Sequence, residues 1–93
     1  MKELNPLLHN QLRLSIMSLL VQNESVTFTH IVEKTEASRG NVSVQLTNLE
    51  EAGYLKVIKK FVGKKPQTSA SITSDGIKAM KEYTEVLRSY LDL

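Results

Sequence analysis

Along this chain the spacing of apolar residues shifts between the period of a helix and that of a strand, and each shift marks an element. Leu7, Leu8, Leu12, Ile16, Leu19 and Leu20 recur at helical spacing, with Leu14, Met17 and Val21 widening the stripe. The pattern predicts a first helix from Pro6, capped by Asn5, to about Gln22. Asn23-Glu24-Ser25 reads as a turn and Val26 as the start of a short strand. Thr27 or Thr29 then caps a second helix that carries Phe28, Ile31 and Val32 and ends near Thr35-Glu36. A third helix, 38–52, opens at Ser38 after a turn of a few residues. Its Val42, Leu46 and Leu49 recur at i, i+4 and i+7 and face a core, while Gly40, Asn41, Ser43, Val44, Thr47 and Asn48 spread over the other side and Gln45 lies at the border. Gly53 suits the left-handed end of that helix.

The period then falls to two. Tyr54 to Phe61 is rich in β-branched and aromatic residues, Gly63 to Pro66 has turn chemistry, and Thr68 to Thr73 alternates as a return strand, which predicts a hairpin with a long tip. Thr73 or Ser74 caps a last helix, 74–92, with Asp75 favourably placed near its positive end. Lys78, Lys81, Glu82, Glu85, Arg88 and Asp92 fall on one side of it. Ile77, Met80, Leu87 and Leu91 form one apolar row, and Ala79, Tyr83, Val86 and Tyr90 another beside it. One row packs on the body of the protein, and a second subunit accounts for the other; a single wide core face is the alternative. The expected fold class is mainly α with a small β-hairpin, in the order helix, short strand, helix, helix, strand, hairpin tip, strand, helix, within one domain spanning 1–93.

A chain of 93 residues without cysteine excludes a disulfide framework and thiolate chemistry, and makes an intracellular, cytoplasmic setting the default. No signal-peptide h-region follows Met1, and no apolar run is long enough to cross a bilayer, so no membrane partner is expected. No Ser/His/Asp set, phosphate loop or dinucleotide glycine pattern points to an enzyme, and no cofactor is implied.

The net charge of +2 is small, but its placement is not even. Residues 1–51 carry Lys2, Arg13, Lys34 and Arg39 against six glutamates, and 75–93 carry three cations against four acids. Residues 52–74 carry Lys56, Lys59, Lys60, Lys64 and Lys65 with no acid. The positive excess therefore sits in the hairpin, as a polyanion-binding site requires. Edge lysines that block strand-to-strand aggregation are the competing explanation.

At this point the chain resembles the winged helix-turn-helix transcriptional regulators of the MarR and ArsR superfamily over nearly its whole length. Asn5-Pro6-Leu7-Leu8-His9 with Arg13-Leu14-Ser15-Ile16-Met17 is similar to their first helix. Ser38-Arg39-Gly40-Asn41-Val42-Ser43, with Leu46, Leu49-Glu50 and Ala52-Gly53-Tyr54, is similar to the recognition helix and its exit. Lys60 to Thr68 resembles the wing, and Thr73-Ser74-Asp75-Gly76 the entry to the last helix. The resemblance implies a winged helix-turn-helix, a sequence-specific regulator bound to double-stranded DNA, and a homodimer. It departs from metal-sensing members, because only His9 and His30 are available and lie on different helices, so no metal site is expected. It also has little beyond the winged domain from which to build an effector cleft.

The third helix would then enter the major groove and the wing, 61–68, would lie on the flanking backbone or minor groove. Arg39 suits a bidentate guanine contact or a phosphate. Asn41 and Asn48 suit adenine or the backbone, Ser38, Ser43 and Thr47 suit phosphate, Val44 suits a thymine methyl, and Gly40 belongs to the same exposed turn. Lys60, Lys64, Lys65 and Gln67 complete the expected DNA surface. Lys59 and Lys60 are neighbours on a strand and point to opposite faces. Leu7, Leu8, Ala79, Tyr83, Val86, Leu87 and Tyr90 form the expected dimer interface. The rival is a winged-helix module that binds another protein and no DNA, since Arg39 is the only strong cation on the third helix.

Overall fold

The computed structural model describes residues 1–91. Its elements are α1 (Gln11–Gln22), β1 (Val26–Thr27), α2 (Phe28–Thr35), α3 (Arg39–Glu51), β2 (Leu55–Val62), β3 (Lys65–Ile72) and α4 (Ser74–Leu91). The strands form an antiparallel sheet in the order β1-β3-β2, in which Val26 pairs with Ala70 and Leu55 with Ile72. Ile16, Met17 and Leu20 of α1, Ile31 of α2, Val42 and Leu49 of α3, and Leu55 and Ala70 of the sheet are buried together in one core. Full burial of each large side chain contributes roughly 1.5–3 kcal/mol. The helices α1 to α3 and the base of the sheet thus hold α3 rigidly with its polar side outward.

Local caps explain most boundaries. Thr27, not Thr29, caps α2 by accepting from His30 N, and Ser38 caps α3 by accepting from Asn41 N. Glu36 ends α2 in the left-handed region at φ 59, a conformation that costs a side chain of this kind about 1 kcal/mol but brings α3 round within a short turn. Gly53, at φ 82, ends α3 as its sequence position predicts. Thr73 caps α4, its hydroxyl accepting from Gly76 N at 3.0 Å.

Two expectations are corrected. The first helix begins at Gln11 and not at Pro6. Asn5 does cap a turn, its Oδ1 accepting from Leu7 N and Leu8 N, but Asn10 interrupts it in an extended conformation and caps afresh by accepting from Arg13 N. Two asparagines whose side chains bind backbone amides compete with a continuous helix and divide it. The hairpin tip is also short. Val62 and Lys65 are already paired, which leaves Gly63 and Lys64 as a two-residue turn, with Gly63 at φ 65. Pro66 is accommodated inside β3 because β1 reaches only Ala70 and Ser69, leaving that edge of β3 open beside the tip.

The interruption in the first helix changes what covers α4. Residues before Gln11 turn back across it: Leu8 is fully buried, His9 Nδ1 lies 3.0 Å from Tyr83 Oη, and Tyr90 Oη donates to Lys2 O at 2.8 Å. Tyr83 and Val86 are consequently buried within the chain's own core, Leu7, Ala79 and Leu87 are half-buried, and Tyr90 is the exposed member of the expected dimer set. The two apolar rows have exchanged roles. Ile77 and Leu91, expected against the body of the protein, are the exposed ones at 53% and 58%. Asp92, placed by the sequence on the polar side of the last helix, lies outside the described residues.

Candidate nucleic-acid interface

The α2–turn–α3 unit presents Arg39, Gly40, Asn41, Ser43, Val44 and Thr47 to solvent, with Ser38 at the cap and Asn48 half-buried. Arg39, at the first turn of α3, stacks its guanidinium over the Phe28 ring at 4.8 Å. This cation–π contact removes much of the freedom of a long side chain before any ligand arrives. Thr47 spends its hydroxyl on Ser43 O at 3.1 Å, so its methyl group is the part that remains to meet a partner.

The wing rises beside this face. Strand alternation places Leu55, Val57, Lys59 and Phe61 on one side of β2 and Lys56, Ile58, Lys60 and Val62 on the other. Because Leu55 is buried, the first set faces α3. Lys59 accordingly lines a cleft with Ser43 and Thr47, while Arg39, Lys65 and Gln67 line the adjoining hollow. Lys64 stands at the tip, and Lys60 lies on the opposite face, away from both clefts. Of the two neighbouring lysines, then, Lys59 is the one brought to the helix, a residue absent from the expected set. The buried Leu55 two alternations earlier is the signal that finds it.

The wing is tied to α3 by Glu50, whose Oε2 accepts from Val57 N at 2.7 Å. Among the described residues the salt bridge is Lys2–Glu82 at 2.7 Å, so Arg39 and the wing lysines keep their charge unneutralised. Beneath α3, Arg13 Nη1 donates to Gln45 Oε1 at 2.7 Å. This link and the Phe28 platform are tertiary contacts that no local pattern announces. No group of three or more metal-ligating side chains occurs among the described residues, and His9 is engaged with Tyr83. No helix of the described residues is long and apolar enough to cross a membrane.

A helix-turn-helix whose second helix is exposed, followed by a cationic hairpin on the same side, defines a winged helix-turn-helix protein. The chain belongs to the winged helix DNA-binding domain family, whose model matches residues 12–91. It is thus a DNA-binding protein and not an enzyme. Over 71 residues it is 32% identical to an uncharacterized protein of Methanocaldococcus jannaschii, spanning 76% of this chain and 77% of that one. A transcriptional regulator homologue from Pyrococcus horikoshii has a similar structure, with a TM-score of 0.85 and 28% identity over 92% of this chain and 85% of that one. Staphylococcus aureus MepR, solved with DNA, shares the fold at a TM-score of 0.72 and 18% identity over 87% of this chain and 65% of its own.

Proposed function

We propose that this protein is a sequence-specific transcriptional regulator that binds double-stranded DNA as a homodimer in the cytoplasm. Its single winged domain places α3 in the major groove and the wing on the flanking backbone or minor groove, and α4 joins two copies. The observation that carries this reading is the convergence of Arg39, Lys65 and Gln67 on one side of the molecule, with Lys59, Ser43 and Thr47 in the adjoining cleft. Small polar groups on the helix supply hydrogen bonds to base edges, and the wing supplies charge for phosphates. The regulator homologue of P. horikoshii and the DNA complex of MepR support the assignment.

A duplex-binding titration over a range of salt tests it. Lys64→Ala with Lys65→Ala should weaken binding to every sequence and make the slope of log affinity against log salt shallower by about 0.9 per lost phosphate contact. Arg39→Ala should cost about 1–3 kcal/mol on the preferred site and relax one position in each half-site. A protein-binding module is the second reading, favoured by Phe61 at 74% and Val44 at 55% exposure. Unchanged low-salt affinity for duplex in both variants selects it.

A further inference from the structure

We propose that Arg13, on α1 and behind the DNA-facing side, is a positioning residue that sets the hydrogen-bond polarity of α3 through Gln45. Gln45 holds three partners. Arg13 Nη1 donates to its Oε1 at 2.7 Å, Asn48 Nδ2 donates to the same oxygen at 3.4 Å, and its own Nε2 donates to Asn41 Oδ1 at 3.1 Å. Arg13 is half-buried and anchored by a second hydrogen bond, from Nε to Leu7 O.

An amide is nearly symmetric in shape, so its orientation is decided by its partners. A guanidinium has donors and no acceptor, and it therefore fixes which end of Gln45 is oxygen. The nitrogen is then obliged to face Asn41, whose Oδ1 turns inward to accept. Asn41 Nδ2 is left without a partner among the described residues and leads toward the duplex. Asn48 is turned the opposite way, its nitrogen inward and its oxygen free. One cation outside the interface thus chooses donor or acceptor for two amides on the recognition helix.

This inference rests on α3 lying in the major groove. Donor-first presentation by Asn41 matches the acceptor edges of guanine or thymine, whereas an inverted amide matches the amino group of cytosine or adenine. Without Arg13 the Gln45 amide takes either orientation and Asn41 follows it.

The test is selection of bound duplexes from a random pool by the wild type, Arg13→Met and Gln45→Glu, with affinities measured against salt. The wild type should prefer guanine or thymine at one position of each half-site. Arg13→Met should lose about tenfold of that preference, with its affinity for unrelated duplex and its salt slope unchanged. Gln45→Glu still accepts from Arg13 but cannot donate to Asn41, so its preference should turn toward cytosine or adenine. Side-chain amide spectra of the DNA-free protein should show faster solvent exchange at Asn41 in Arg13→Met.

A wild type with no sequence preference removes the proposed function and the relay with it. A selective wild type whose preference persists in Arg13→Met overturns the relay alone. So does a salt slope shallower by about 0.9, which means that Arg13 meets phosphate directly. Should Arg13→Met fail to fold, Gln45→Glu decides, and an unchanged preference there sinks the relay.

Discussion

Three glycines show how differently one residue type is used. A Cβ at Gly76 would lie 2.1 Å from Tyr54 O and 2.8 Å from Ile72 Cγ1. The crowding follows from Thr73, which links the end of β3 to the exit of α3. Its N–H donates to Tyr54 O at 3.1 Å, and its hydroxyl donates to Gly53 O at 2.6 Å while accepting from Gly76 N. The first turn of α4 is therefore drawn against the backbone that leaves α3. Gly76→Ala should destabilise the protein by about 1–3 kcal/mol, seen as a lower urea midpoint with little change in the slope of the transition. Gly40 has nothing within 4 Å of the corresponding position. Gly40→Ala should raise stability by roughly 0.4–1 kcal/mol by restricting the unfolded chain, yet weaken duplex binding if the backbone approaches DNA there. Gly53, at φ 82, accepts neither change without strain.

Among the elements, the internal ones were the most legible. Val42, Leu46 and Leu49 identify the buried side of α3, Ser38 and Gly53 its ends, and the alternation from Leu55 the sheet. What resisted reading was competition between local signals. The apolar period runs unbroken through Leu7, Leu8 and Leu12, while Asn5 and Asn10 each capture amides nearby, and the caps prevail. Lys59 and Lys60 are a second such case, because composition treats them alike and only the register separates them. Lys59→Ala should reduce duplex affinity and make the salt slope shallower by about 0.9, whereas Lys60→Ala should leave both nearly unchanged. Equal effects in the two variants would mean that the wing meets DNA edge-on. The N-terminal strap, by contrast, gains little from its ion pair. Lys2 holds the Glu82 carboxyl below its ordinary value, by hydrogen bond and by charge, and the Lys2 ammonium is raised by the same partner. The pair thus acts above the usual carboxylate range and is lost as pH falls through the folded-state value of Glu82. Both groups are mostly exposed, so the strap is held by Leu8 and the two tyrosines.

At the scale of the whole molecule, one copy of α3 contacts one half-site, and a second copy must stand about 34–36 Å away to meet the next turn of the same groove. Something must fix that distance, and the strap decides which surface is free to do so. With Tyr83 and Val86 covered by the chain's own first residues, the exposed apolar material is Ile77 and Leu91 on α4, together with Val21 of α1, which lines a groove with Ile77 and Met80. Two copies meeting through this row would bury it in an isologous contact, in which Ile77 of each faces the same surface of the other. A carboxylate there would be desolvated without a partner on association, but would remain in water in the separated chain. Ile77→Asp should therefore leave the circular dichroism spectrum unchanged and shift sedimentation from dimer to monomer. It should also lower affinity for a two-half-site duplex while sparing that for a single half-site. Tyr90→Ala, on the strapped side, should leave the dimer intact. If Tyr90→Ala dissociates the protein and Ile77→Asp does not, the strap must lift on association and the Tyr83 side is the interface. A wild type that sediments as a folded monomer at micromolar concentration removes the pairing altogether, and with it the requirement for a pseudo-palindromic site.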